Sequence, residues 1–161
     1  MGDLPYVLIY VSAVSTAVVG GVLFAFSGFV MRALARISAE RGIAAMQSIN
    51  VTVLSWYCSL LFFGTGLISI GLIVWATMNG GDSGTGYALA GGLSYVIGGL
   101  AVTGAFNVPL NGKLDKVDPD SEEGRIFWRR FVPVWTAWNH VRTAACIASS
   151  AAYIAALAEM T

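Results

Sequence analysis

Arg142 sits within an apolar stretch, residues 134–157, that is long enough to cross a bilayer, and no comparable stretch of the chain carries a charge. A cation held in lipid costs roughly 2.5 to 3.5 kcal/mol on insertion scales. The nine acidic residues, Asp3, Glu40, Asp82, Asp115, Asp118, Asp120, Glu122, Glu123 and Glu159, all lie outside the apolar stretches. No carboxylate is therefore available within the membrane. Two readings of Arg142 follow: its guanidinium holds an electron-rich ligand, or its long stem carries the charge up to the membrane surface.

The neighbours of Arg142 have matching chemistry. On a helix Trp135, Trp138, Asn139 and Arg142 fall within about 100° of arc, and Cys146 and Ser149 continue the stripe. In the preceding apolar stretch Asn107 and Asn111 share a face across Pro109, whose missing N–H frees a carbonyl in the turn before it. If the two stretches run antiparallel, these faces meet about one to two turns below the membrane surface. The tryptophans offer stacking surfaces, the arginine a charge with planar donors, and the three amides both donors and acceptors. That set suits a flat, anionic or polarised aromatic ligand. The same residues also suit structural work, with the tryptophans as membrane anchors and the asparagines as interhelical ties.

His140 is the single histidine and hence the candidate general base. It projects about 100° from Asn139, beside Thr136 and Thr143, as a helix-packing histidine also would. One histidine and two isolated cysteines, Cys58 and Cys146, give no metal-ligand spacing, so neither a metal nor another cofactor is expected.

Something must hold these side chains at one depth, and composition says what. The 161 residues are 57% hydrophobic and 11% charged, which fits an integral membrane protein and not a soluble domain. An all-α fold is expected, a single four-span transmembrane bundle with spans at about 5–31, 54–78, 87–108 and 134–157. The first apolar run lacks a basic leader and is too long for a cleaved signal, so it is read as part of the mature chain.

Eight of the nine Lys and Arg residues fall in the first and third connections, so those connections are expected on the cytoplasmic side and both termini outside. Each cytoplasmic connection is expected to carry a short amphipathic helix. In the first, residues 38–50 alternate polar and apolar positions at helical spacing, as a surface helix or an extension of the second span would. In the third, Asp120 and Glu123 form a capping-box pattern that opens a helix running through Phe131 and ended by Pro133. Residues 79–86 read as a tight Gly-rich turn.

Net charge is zero and the basic residues form no nucleic-acid-binding stripe, so membrane lipid and a hydrophobic aromatic small molecule are the expected partners, not nucleic acid. Ser12, Thr16 and Gly20 recur at four-residue intervals, and glycines and alanines thin the third and fourth spans. Such residues let helices approach closely, within the bundle or between copies in a homo-oligomer. The halves share no repeat, which argues against an inverted-repeat transporter.

The strings GVLFAFSGFVMRAL, GIAAMQSIN, NVPLN and FWRRFVPVWTAWNHVRT occur in that order along nearly the whole chain. In this the sequence resembles the anthrone oxygenase-like family of small four-helix membrane proteins. The paired NVPLN and W-x-x-W-N-x-x-R motifs are the most specific part. The resemblance implies oxidation of an anthrone to an anthraquinone with molecular oxygen and no metal or flavin. It implies a pocket of Asn107, Asn111, Trp135, Trp138, Asn139 and Arg142, with Arg142 as the cation that stabilises an enolate and His140 or a water held by Asn139 as the base. Three readings stay open: an oxygenase of this kind, a non-catalytic module that binds a quinone, lipid or other aromatic, and a structural membrane protein that oligomerises.

Overall fold

The computed structural model describes residues 3–161 and, among them, contains helices and no strand. The helices are α1 (Leu4–Leu34), α2 (Ala39–Thr52), α3 (Trp56–Met78), α4 (Thr85–Leu114) and α5 (Glu122–Met160). All but α2 are long and apolar enough to cross a membrane, and they form the expected four-helix bundle. Large apolar residues such as Val18, Val22, Leu67, Ile70, Ile97, Ile147 and Ile154 lie on its outside, whereas many small and polar residues, among them Ser12, Thr16, Ser69, Asn107, Asn139 and Ser149, are buried inside beside Ile9, Leu72, Tyr95 and Tyr153. This is the distribution that lipid selects, because acyl chains accept leucine as readily as a protein core does.

α5 is the central element and ties the other three spans together. Ser150 donates to the Ala13 carbonyl of α1 at 2.9 Å, Ser149 to the Gly91 carbonyl of α4 at 2.7 Å, and the Tyr153 hydroxyl bonds Ser69 of α3 at 3.0 Å. The α4 contact is close, since a Cβ on Gly91 would lie 3.0 Å from the Tyr153 ring and would press that ring aside by a few tenths of an ångström. At the end away from the basic connections, Gly84 opens α4 in a left-handed conformation and donates its N–H to the Glu159 carboxylate at 3.1 Å.

α2 is a separate helix. Its apolar side buries Ile43 and Met46, Gln47 donates to the carbonyls of Leu114 and Val117 at 2.9 and 3.0 Å, and Asn50 donates to Asp115 at 3.0 Å. The chain then breaks its helical run over Val53 to Ser55 before α3 begins. The third connection differs from the expected short helix ended at Pro133. The cap is Ser121, whose hydroxyl accepts from Gly124 N–H at 2.9 Å, and α5 runs unbroken through Pro133 for 39 residues. A proline deprives one carbonyl, here that of Arg129, of its partner. Near the membrane surface water can take that place, and the buried Trp128, Phe131 and Trp135 hold both sides of the proline in one core cluster. α5 is about 58 Å long against a hydrocarbon core of about 30 Å, so much of its first half stands outside the acyl region.

Two spans contain widened π-type turns, at Phe26–Val30 in α1 and at Ser94–Ala101 and Thr103–Asn107 in α4. Such turns insert a residue and re-aim the side chains that follow. They deliver Ser27, Thr103 and Asn107 to the face of α5 that carries Arg142.

A candidate site around a buried arginine

Arg142 is 6% exposed and forms no ion pair among the described residues. Its charge is instead spread over neutral acceptors and a π face. Nη2 donates to Asn139 Oδ1 at 2.5 Å, one turn back on α5, and Nη1 donates to Thr103 Oγ1 on α4 at 3.1 Å. The guanidinium carbon lies 5.3 Å from the Trp135 ring centre, within cation–π range. Nε is buried and has no hydrogen-bond partner among the described residues.

Asn139, wholly buried, is the hub. Its amide nitrogen donates to the Leu23 carbonyl and to Ser27 Oγ, each at 2.7 Å, which leaves its oxygen to face Arg142. Thr143 returns its proton to the Asn139 carbonyl at 2.8 Å, so across the 3.2 Å contact Ser27 donates to Thr143. Thr103 likewise gives its own proton to the Gly99 carbonyl at 2.6 Å and is left as a pure acceptor for Arg142. Every hydroxyl around the cation thus presents a lone pair to it or supports one that does. This arrangement explains how the arginine stays in the bundle without a carboxylate.

The other expected residues divide between this network and other surroundings. Asn107 is buried and donates to the Trp135 carbonyl at 3.2 Å, while its own Oδ1 has no partner. Asn111 accepts from Trp135 Nε1 at 2.7 Å. Trp135 is itself a core residue, enclosed by Phe26, Phe131 and Arg142, so its faces are engaged by protein. Trp138 stacks on Phe106 of α4 with ring centres 3.5 Å apart and an interplanar angle of 7°. His140 is exposed and borders a different cavity, with Arg32, Ala35, Pro133 and Thr136. The structure brings Asn107, Asn111, Trp135, Asn139 and Arg142 together and leaves His140 apart from them.

Ser27, Thr103, Thr143 and the Leu23 carbonyl complete the site and were not among the residues singled out from sequence. Thr103 had a signal, since it precedes Asn107 and Asn111 at the same four-residue spacing. Beside Arg142 an apolar cavity of about 190 Å³ lies between Val19, Val22 and Leu23 of α1 and Val53, Leu54, Cys58, Phe62 and Phe63 around the α2–α3 break. Arg142 is the one charged residue in its wall. A cation with N–H donors to spare in the wall of an apolar cavity can stabilise an anionic or strongly polarised oxygen on an otherwise apolar molecule.

No curated protein and no solved structure matches this chain. A family model does: the one described as anthrone oxygenase matches residues 53–152, from the α2–α3 break through most of α5, and includes NVPLN and W-x-x-W-N-x-x-R but not the α1 and α2 strings. Arg142, Asn139, Asn107 and the α3 side of the cavity all fall inside the match, and the chain belongs to the anthrone oxygenase family.

Proposed function

We propose that the protein is a membrane-embedded oxygenase that converts an anthrone-like polycyclic phenol to the corresponding quinone with molecular oxygen, using neither metal nor flavin. The observation that carries this reading is the buried Arg142, without an ion-pair partner among the described residues, in the wall of an otherwise apolar cavity. Removing the proton from the ring methylene of an anthrone gives an aryl enolate, whose negative charge rests on oxygen. Arg142 stabilises that oxygen and so favours ionisation of the bound substrate, the proton passing to a water molecule that enters with it and returning to the peroxide anion formed in the next step. The enolate gives one electron to O2, the resulting radicals combine as a hydroperoxide at the same carbon, and loss of water leaves the second carbonyl. One oxygen atom ends in the quinone and the other in water.

Oxygen uptake by the purified protein in lipid nanodiscs, with anthrone as substrate, tests the reading. One O2 consumed per anthraquinone formed, well above the spontaneous rate, is expected. Uptake at the spontaneous rate, with anthrone still bound, would make the protein a binding module.

His140 has no part in this scheme. His140→Ala is expected to keep turnover within about twofold of the parent, with an unchanged pH profile. Loss of a limb near neutral pH in that variant would assign His140 the base role after all.

The reading also sets the active site in the cytoplasmic half of the bilayer, through the basic residues of the α1–α2 and α4–α5 connections. A cysteine at Ser83 is expected to react with an impermeant maleimide added to intact cells, and one at Ser121 only after lysis. The reverse pattern would turn the protein over.

A further inference from the structure

We infer that the ligand reaches Arg142 sideways from the bilayer, through an opening between α1 and the α2–α3 break, and lodges against Val22, Leu23, Val53, Leu54, Cys58 and Phe62 rather than against Trp138 or Asn111. This deepens the reading of the protein as an oxygenase and rests on it for the substrate class. None of Asn107, Asn111, Trp135 and Trp138 lines the cavity, although all lie near Arg142 along the chain or across the α4–α5 contact. Arg142, together with Leu23, whose carbonyl accepts from Asn139, joins the polar network to the cavity.

Three observations define the occupant. The cavity's outer residues are apolar and exposed, Leu54 at 71% and Phe63 at 63%, so within a membrane the mouth meets acyl chains. The helical run is interrupted at that point, over Val53 to Ser55, so no continuous helix closes the gap. A single cation, nine-tenths buried and with guanidinium N–H groups to spare beyond its two hydrogen bonds, forms part of the wall. An apolar mouth excludes a small hydrated ion but not an aromatic anion that partitions into the bilayer, and a lone buried cation gives nothing to a plain hydrocarbon. The fitting molecule is a lipid-dissolved polycyclic aromatic with one acidic or polarised oxygen. At about 190 Å³ the cavity is smaller than an ordinary ligand pocket of about 300 Å³ or more, so one edge of the ring system stays among the acyl chains while the oxygen meets Arg142.

Cys58 in the cavity wall reports occupancy, and Cys146, fully buried, is an unreactive internal reference. N-ethylmaleimide labelling in nanodiscs, read by peptide mass spectrometry, is measured with and without 9-anthracenecarboxylate, an anionic tricycle that cannot be oxidised in this way. At a saturating level of the tricycle, Cys58 labelling is expected to slow at least fivefold. Leu54→Trp, which fills the mouth, is expected to remove that protection and to lower kcat/KM for anthrone about tenfold. Leu67→Trp, equally exposed on α3 but outside the cavity wall, leaves both unchanged. Absence of protection in the parent protein overturns the site, and protection that survives Leu54→Trp overturns the route. Protection without any anthrone oxidation retains the site and the route but removes the oxygenase reading.

Discussion

Arg142→Met is expected to lower the proposed anthrone oxidation by roughly 100- to 1,000-fold, the range lost when one preorganised donor to a developing oxyanion is removed, while the protein still inserts and folds. Methionine keeps much of the apolar length and removes a cation that lipid and cavity wall both disfavour. It frees Asn139 Oδ1 and Thr103 Oγ1 from the charge they now face, a modest loss because each residue keeps its other hydrogen bonds. Arg142→Lys retains charge but cannot span Thr103, Asn139 and the Trp135 face at once, so its activity falls between the two. Steady-state oxygen uptake, with Tm recorded alongside, gives the answer. A Met variant that is folded and fully active would empty the site of its central residue.

The second large effect belongs to stability. Asn139→Leu removes the acceptor of Arg142 Nη2 and both donors to α1, and leaves a buried cation with one hydrogen-bond partner. Breaking a buried polar arrangement around a charge costs about 3 to 5 kcal/mol. Asn107→Leu, which loses one bond and removes an already unpartnered oxygen, costs about 1 kcal/mol. Unfolding in mixed micelles by a graded denaturing detergent compares the two. The double variant Asn139→Leu with Arg142→Met should recover much of the loss, because the stranded charge is gone. Equal losses for the two single variants, or no recovery in the double, would show that Asn139 is not the hub.

The parts of this molecule that obey one strong rule were legible in its sequence. Length and unbroken hydropathy marked α1, α3, α4 and α5, and the single charge at Arg142 marked the centre of the site. The stripe of Trp135, Asn139 and Arg142 was readable because α5 keeps a regular helical period through it. Ser27 escaped because the widened turn that contains it changes the local period and no residue pattern in α1 announces such a turn, whereas Thr103 kept the four-residue spacing of Asn107 and Asn111 but looks like any helix hydroxyl. Pro133 misled because its usual effect, a helix end, assumes that nothing else holds the chain straight. The cavity was invisible for a different reason: its walls come from α1 and from a helix break, and apolar residues there look like any lipid-facing surface.

The order in which the α1 and α4 partners of Asn139 and Arg142 occur along the chain bears on how the protein is made. Leu23, Ser27 and Thr103 all precede α5, so when the ribosome delivers the last span its acceptors are already in the membrane. A helix that carries a charge leaves the insertion machinery reluctantly on its own, and here it leaves into a prepared slot. A circular permutant that begins with α5 would present Arg142 to lipid before α1 and α4 exist. Such a chain would stall at insertion or be degraded during synthesis, even though its finished fold would be the same.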